Sequence, residues 1–289
     1  RYLQQVEWAV FSPSLMAKPA SANYIRDEKH EKSLVELLLQ LDQKPSEVDE
    51  HFQSLRHMPM GKYFEQLVIF ILEKDERYEI ILQNHQIVEE KTTVGEIDLI
   101  VRDTVSSQLE HWEIALKFYL QSTPSSEQNV MLGPNAKDNL ARKIKKLTEH
   151  QMTLSEHPQI EQLIKGQPIE RKLFIKGQFF YHLNNKTIVP LGSNPLHDSG
   201  LWCFHSEIEK ILDDSLKWTI VDKPDWIGNQ QTPDISNAIN SAQMQLILTE
   251  HFERGLKPLL CVGMKRVDKR CIEVSRCFVV NNHWPKAHV

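Results

Sequence analysis

The sequence predicts a mixed α/β protein whose central mixed sheet is laid down in the order helix, three strands, helix, strand. Three observations carry that expectation. Lys62–Lys74 is a strongly apolar segment with Phe64, Leu67, Val68 and Ile71 at helical spacing. Thr93–Leu120 holds two runs, TVGEIDLIVRD and HWEIALKFYL, each with the period of two that marks a strand. A lysine-rich helix then follows from Asn135, and Arg171–His182 (RKLFIKGQFFYH) closes the series as a further strand.

In chain order, residues 1–26 mix aromatics with Pro13 and Pro19 and read as an irregular lead-in. Leu34, Leu37, Leu38 and Leu41 set a helical period over Asp27–Leu41. Pro45-Ser46 ends it, and Ser46 with Asp49 resembles a capping box for a second helix reaching Leu55. On the Lys62–Lys74 helix Glu65 is out of place, since its helical neighbours are Val68, Ile69 and Leu72. Tyr78–Glu90 holds two strand-prone runs, EIIL and QIVEE, so three strands in close succession predict an antiparallel meander. Gly133-Pro134-Asn135 opens a helix expected to reach about Leu154. Its apolar line is Ala136, Leu140, Ile144 and Leu147, and its basic polar line is Asn139, Lys143, Lys146 and His150.

Gly177 marks a bend within Arg171–His182. Further on, Asn194–Gly200 reads as a turn region, Ser206–Leu216 as a helix and Lys217–Asp222 as a strand. Pro233–Glu253 reads as mainly helical, with closing strands at Pro258–Met264 and Arg270–Asn281. These elements divide the chain into an N-terminal helical lead-in (1–58), a core (59–182) and a C-terminal α+β extension packed on that core (183–289).

Composition narrows the function classes. Over 289 residues, 40% hydrophobic and 25% charged content suits an ordinary globular chain. A net charge of −5 excludes a global basic field, so contact with nucleic acid has to come from a local patch. No run reaches the ~18 apolar residues of a membrane span. The start, RYLQQVEWAV, lacks the basic-then-apolar pattern of a signal peptide, so a cytoplasmic protein without a membrane partner is expected. Cys203, Cys261, Cys271 and Cys277 show no CxxC spacing and read as reduced, buried thiols. No GxGxxG or Walker loop is present to cradle a nucleotide phosphate.

The chemistry lies in the two alternating runs. In the first, Ile97, Leu99 and Val101 form one face, and Glu96, Asp98 and Ile100 the other. In the second, Trp112, Ile114, Leu116, Phe118 and Leu120 form an apolar face opposite His111, Glu113, Ala115, Lys117 and Tyr119. Buried acids need a cation, a metal or water, because burying a charge alone is costly. Two readings stay open. Asp98 and Glu113 could converge on one divalent ion, since magnesium takes one or two carboxylates, several waters and a substrate phosphate; Lys117 would then stabilise developing charge. Alternatively, acids and lysines pair across neighbouring strands as a salt-bridge network. The basic line Asn139, Lys143, Lys146, His150 suits a phosphate backbone, or simply forms a solvated face.

Glu65 on the first helix, GEIDLI, WEIALK and a following helix bearing Gln151 together resemble the PD-(D/E)XK phosphodiesterase superfamily. Within it the chain resembles a bacterial family described only as a domain of unknown function. That likeness rests on WEIALKFYL, LGPN at Leu132–Asn135, His150-Gln151 and SRCFVVNNHWP at Ser275–Pro285, and spans most of the chain from about Gly61. The resemblance implies a restriction-endonuclease-like core and a nuclease dependent on Mg²⁺ or Mn²⁺, with nucleic acid, first of all DNA, as partner. It implies that Asp98 and Glu113 are metal ligands together with the backbone carbonyl of Ile114. Glu65 matches the acid on the first helix, Gln151 the helical glutamine, and Lys117 the catalytic lysine.

Lys117 departs from the pattern, which places lysine two residues after the acid, where Ala115 stands. Along a strand Lys117 is ~13 Å from Glu113, against ~7 Å for the usual spacing. Lys143 of the next helix could take its place. Ser155 stands where a tyrosine often accompanies the glutamine. The alternative reading is a protein that keeps this fold without efficient chemistry and serves as a nucleic-acid-binding or protein-interaction module.

Overall fold

The computed structural model describes residues 1–17, 22–232, 235–255 and 257–286. Its first element corrects the sequence reading. Tyr2–Phe11 is a helix, α1, not an irregular lead-in. Tyr2, Val6, Ala9 and Val10 are buried in the main core, but interleaved polar residues obscure their period in the sequence. Pro19 lies outside the described residues. Helices α2 (Glu28–Asp42) and α3 (Pro45–Leu55) follow, the first capped by Asp27, whose side chain accepts from the His30 N–H. Helix α4 (Met60–Leu72) is buried on almost every side, since it is covered by α1 and packs on the sheet.

Strands β1 (Tyr78–Glu89), β2 (Thr92–Asp103) and β3 (Leu109–Gln121) form the expected antiparallel meander. β1 is one strand rather than two runs. Asn84, at φ +47°, lies between EIIL and QIVEE without ending the pairing. The short β4 (Met131–Leu132) pairs with the end of β3.

Helix α5 is Leu140–Glu149, later and shorter than the sequence suggests. Gly133–Asp138 closes as a turn, with the Gly133 N–H donating to the Asp138 carbonyl at 2.9 Å and Ala136 at φ +54°. Asn139 then caps the helix by accepting from the Arg142 N–H. After His150 the chain tightens into a 3₁₀ turn, Gln151–Glu156, so Gln151 lies beyond α5. Next come α6 (Pro158–Leu163) and β5 (Ile169–His182). β5 is one continuous strand. Gly177 does not split it; at φ +144°, its position admits no side chain, because an added Cβ would lie 1.6 Å from the Lys117 carbonyl oxygen.

The remaining elements are β6 (Ser199–Phe204), β7 (Lys217–Val221), β8 (Gln231–Thr232), α7 (Ser241–Glu253), β9 (Leu259–Val267) and β10 (Arg270–Val280). β6 begins inside the predicted turn region. The predicted helix at Ser206–Leu216 is only a 3₁₀ turn, His205–Lys210, and α7 starts at Ser241. Pro233, where that helix is predicted to begin, lies outside the described residues.

One mixed sheet runs in the order β1-β2-β3-β5-β6-β10-β9-β7, with β4 on β3 and β8 on β10. β3, β5, β6 and β10 run parallel at its centre, flanked by antiparallel strands. Trp112, Ile114, Leu116, Phe118 and Leu120 pack with α4 on one face, while Ala115 and Tyr119 pack with Leu140 and Leu147 of α5 on the other. The central strands are thereby covered on both sides, as parallel strands require. The four cysteines are buried, free thiols. Among the described residues no helix is long and apolar enough to cross a membrane.

Candidate functional site

The β2–β3 ladder runs from Arg102↔Leu109 to Leu99↔Trp112 and stops. Beyond it the strands separate, and a side chain replaces the missing rung: the Ile114 N–H donates to Asp98 Oδ2 at 2.8 Å. The separation also divides the predicted apolar face of β2. Leu99 and Val101 pack with α4, whereas Ile97 joins Ile100 and Leu154 in a separate cluster. In a strand the N–H and C=O of one residue address the same edge, so the Ile114 carbonyl faces the gap beside Asp98.

Glu113 lies next to it on β3, facing α5 and only 1% exposed. Its Oε1 is 2.9 Å from His111 Nε2, and its Oε2 is 3.5 Å from Gln151 Nε2. The carboxylate is therefore held from two directions. Glu65 enters from α4, 8% exposed, and pairs with Lys62 at 2.7 Å. Lys62 also reaches Glu96 at 2.8 Å and so clasps α4 to β2.

Negative charge is crowded here. Burial first, and then the charge of Glu113, push the Asp98 carboxyl up to about 7; the Ile114 N–H opposes this and Glu65 adds to it. Burial also raises Glu65, against the opposing effect of Lys62, with Glu96 and Glu113 adding to the rise. Glu96 is lowered, chiefly by its hydrogen bond from Lys62. Burial works against the Lys62 ammonium, but its bonds to Glu65 and Glu96 prevail and raise it. On α5 the Lys143 amine is lowered by burial, then by Lys117 and Lys146. Asp98 and Glu113 act on it in the opposite sense, which places it within electrostatic reach of both acids.

This donor set fits a hard divalent cation. Asp98, Glu113 and the Ile114 carbonyl offer oxygen alone, and two carboxylates with waters is a usual Mg²⁺ arrangement. Burial first and the charge of Glu113 second raise Asp98, and a cation at this point would offset both. Among the described residues no group of three or more His, Cys, Asp or Glu is placed to hold a metal ion.

The structure thus gathers Asp98, Glu113, Ile114, Glu65 and Gln151, with Lys143 nearby. Lys117 points elsewhere, its Nζ 3.3 Å from Asp138 Oδ2. The line Asn139, Lys143, Lys146, His150 is not one helical stripe. Asn139 and His150 are the two caps of α5, and only the lysines lie within it. Asn139 uses its side-chain oxygen on the helix end, while Lys146 and His150 are exposed. The sequence reading gave no role to Lys62 or His111. Lys62 lies three residues before Glu65 on one helix, and His111 two before Glu113 on one strand face, both spacings that put side chains together.

Comparison with known proteins adds one relationship. The family described as a domain of unknown function, DUF1853, matches residues 4–280. No curated protein and no solved structure matches the chain. The family match runs from α1 to the last residue of β10 and takes in every site residue above: the chain belongs to the DUF1853 family.

Proposed function

We propose that the protein is a Mg²⁺- or Mn²⁺-dependent phosphodiesterase of PD-(D/E)XK type that hydrolyses nucleic acid, with DNA as the first substrate to test. The observation that carries this reading is the pair of crowded carboxylates, Asp98 and Glu113, at the point where β2 and β3 part. These two carboxylates and the Ile114 carbonyl would hold a divalent cation, which when bound would supply positive charge for a phosphoryl oxygen and lower the pKa of a bound water. Around it, His111 and Gln151 fix the orientation of Glu113. Lys143 replaces Lys117 as the amine that balances charge at the reacting phosphate, within electrostatic reach of Asp98 and Glu113. Lys146 and His150 extend that positive edge along the nucleic-acid backbone, which a chain of net charge −5 needs as a local patch. Buried thiols without a disulfide accord with a cytoplasmic site of action.

The displaced Lys117, tied to Asp138, favours a second reading, a nucleic-acid-binding module that retains the fold without the chemistry. Incubation with single-stranded, linear duplex and circular DNA separates the two. Cleavage with Mg²⁺ or Mn²⁺ that stops in EDTA is the expected result. DNA that is retarded in a gel but intact under every metal condition would establish the binding module, and neither binding nor cleavage would reject both.

A further inference from the structure

Past Glu113 the two edges of β3 differ. On the β5 side pairing is continuous from Leu109 to Leu120. On the other side β2 pairs only up to Trp112, and β4 begins only at Leu120. Residues Glu113–Tyr119 therefore have no strand partner on that edge among the described residues. A chamber of about 210 Å³ lies along this gap. It is open to solvent, and Leu116 and Phe118 of β3, Met60 of α4, the Gly133–Asp138 turn and Trp226 line it.

Three properties of the chamber select its ligand. Its walls are apolar and partly aromatic. Lys117, Lys137 and Lys223 stand around it, with Lys223 Nζ 4.6 Å over the Trp226 ring. Asp138, the one acid lining it, is engaged by Lys117 and by the Tyr119 hydroxyl, each at 3.3 Å, so Lys137 and Lys223 leave a net positive rim. Finally, Leu116 and Phe118 share the parity of Ile114, whose N–H points across the gap to Asp98, so their backbone N–H and C=O groups face the same edge.

We propose that this chamber is a nucleobase subsite, taking one unstacked base of a single strand whose phosphates follow the lysine rim toward Asp98 and Glu113. The proposal rests on the nuclease reading for the direction of the strand, and it names single-stranded or frayed nucleic acid as the substrate class. The volume falls below the ~300–1,000 Å³ of pockets for drug-sized ligands and suits one planar base. Aromatic and apolar walls accept the face of any base, and lysines hold the backbone without reading sequence. The unpaired β3 edge supplies donors and acceptors to the rim of the base. From Glu113 to Lys117 is ~13 Å along β3, the length of about four stacked nucleotides at ~3.4 Å each. A paired base cannot enter without leaving its stack, which disfavours blunt duplex.

The test is fluorescence anisotropy with a labelled oligothymidylate, an abasic strand of equal length and a blunt duplex, all in EDTA so that binding is read without the metal. The wild type is expected to hold the base-bearing strand about tenfold more tightly than the abasic one. Gly133→Leu, whose added Cβ meets nothing nearer than 3.8 Å, fills the chamber and should remove that difference while leaving the abasic affinity intact. Equal affinity for the two strands in the wild type, or an undiminished preference in Gly133→Leu, overturns the subsite. Failure to bind any strand also overturns it. Cleavage in Mn²⁺, scored separately, reports on the nuclease reading: cleavage without base preference rejects the subsite alone, and base preference without cleavage rejects the nuclease alone.

Discussion

Asp98→Asn lowers metal-dependent cleavage by about 10²–10³-fold, the scale on which a reacting site loses one preorganised charge partner, and at the same time makes the metal-free protein more stable at pH 8. The two effects share a cause. In the folded chain burial and Glu113 lift the Asp98 carboxyl to about 7, from an ordinary value of 3.8. Between these values the folded state binds the proton more tightly than the unfolded state, so stability falls as pH rises through this window and stays low above it. The penalty for the charged form is roughly 4 kcal/mol. Asparagine cannot ionise and escapes it. Thermal melts in EDTA should show the variant above wild type at pH 8, with the gap closing toward pH 4. Mg²⁺ should raise the wild-type midpoint at pH 8 and leave that of the variant almost unchanged. A variant that melts below wild type at pH 8 would remove the case for a penalty on the buried Asp98 charge beside Glu113 and, with it, the case for a cation at this point.

The second large effect concerns the lysine. Lys143→Met lowers kcat by about 10²–10³-fold, within the range for a lost proton-transfer or charge-stabilising group. Lys117→Met costs less than about tenfold and acts on KM, because its amine is held by Asp138 at 3.3 Å and its backbone lies ~13 Å along β3 from Glu113. Parallel steady-state kinetics of the two variants decides the matter. The reverse order, a large kcat loss at Lys117 and a small one at Lys143, would return the role to the strand lysine.

The general architecture was legible because its signals are local. Alternation over Thr93–Leu120 and the 3.6-residue period of α4 predict the meander and the covering helix, and the same alternation exposes Asp98 and Glu113 as acids on a buried strand face. What escaped depends on contacts between distant segments. Helix α1 is amphipathic only with respect to the core it meets, and β6 is a short strand that its neighbours β5 and β10 complete. The late start of α5 follows from a turn with Ala136 at positive φ, which no propensity forecasts for alanine. Spacing on β3 identifies Lys117 as displaced, but only the fold brings Asp138 to hold it and Lys143 toward the acids. Lys62 and His111 sit at pairing distance in the sequence, yet their roles depend on Glu65 and Glu113 being buried.

The cation itself is the most direct object of measurement. Mn²⁺ can be titrated into metal-free wild type, Asp98→Asn and Glu113→Gln at pH 8, with free ion followed by electron paramagnetic resonance. One ion bound per wild-type chain, displaced by Mg²⁺ and weakened at least about tenfold by either substitution, is the expected result. Wild-type protein that leaves the Mn²⁺ free, or variants that bind it as tightly as wild type, would contradict a metal centre at Asp98 and Glu113.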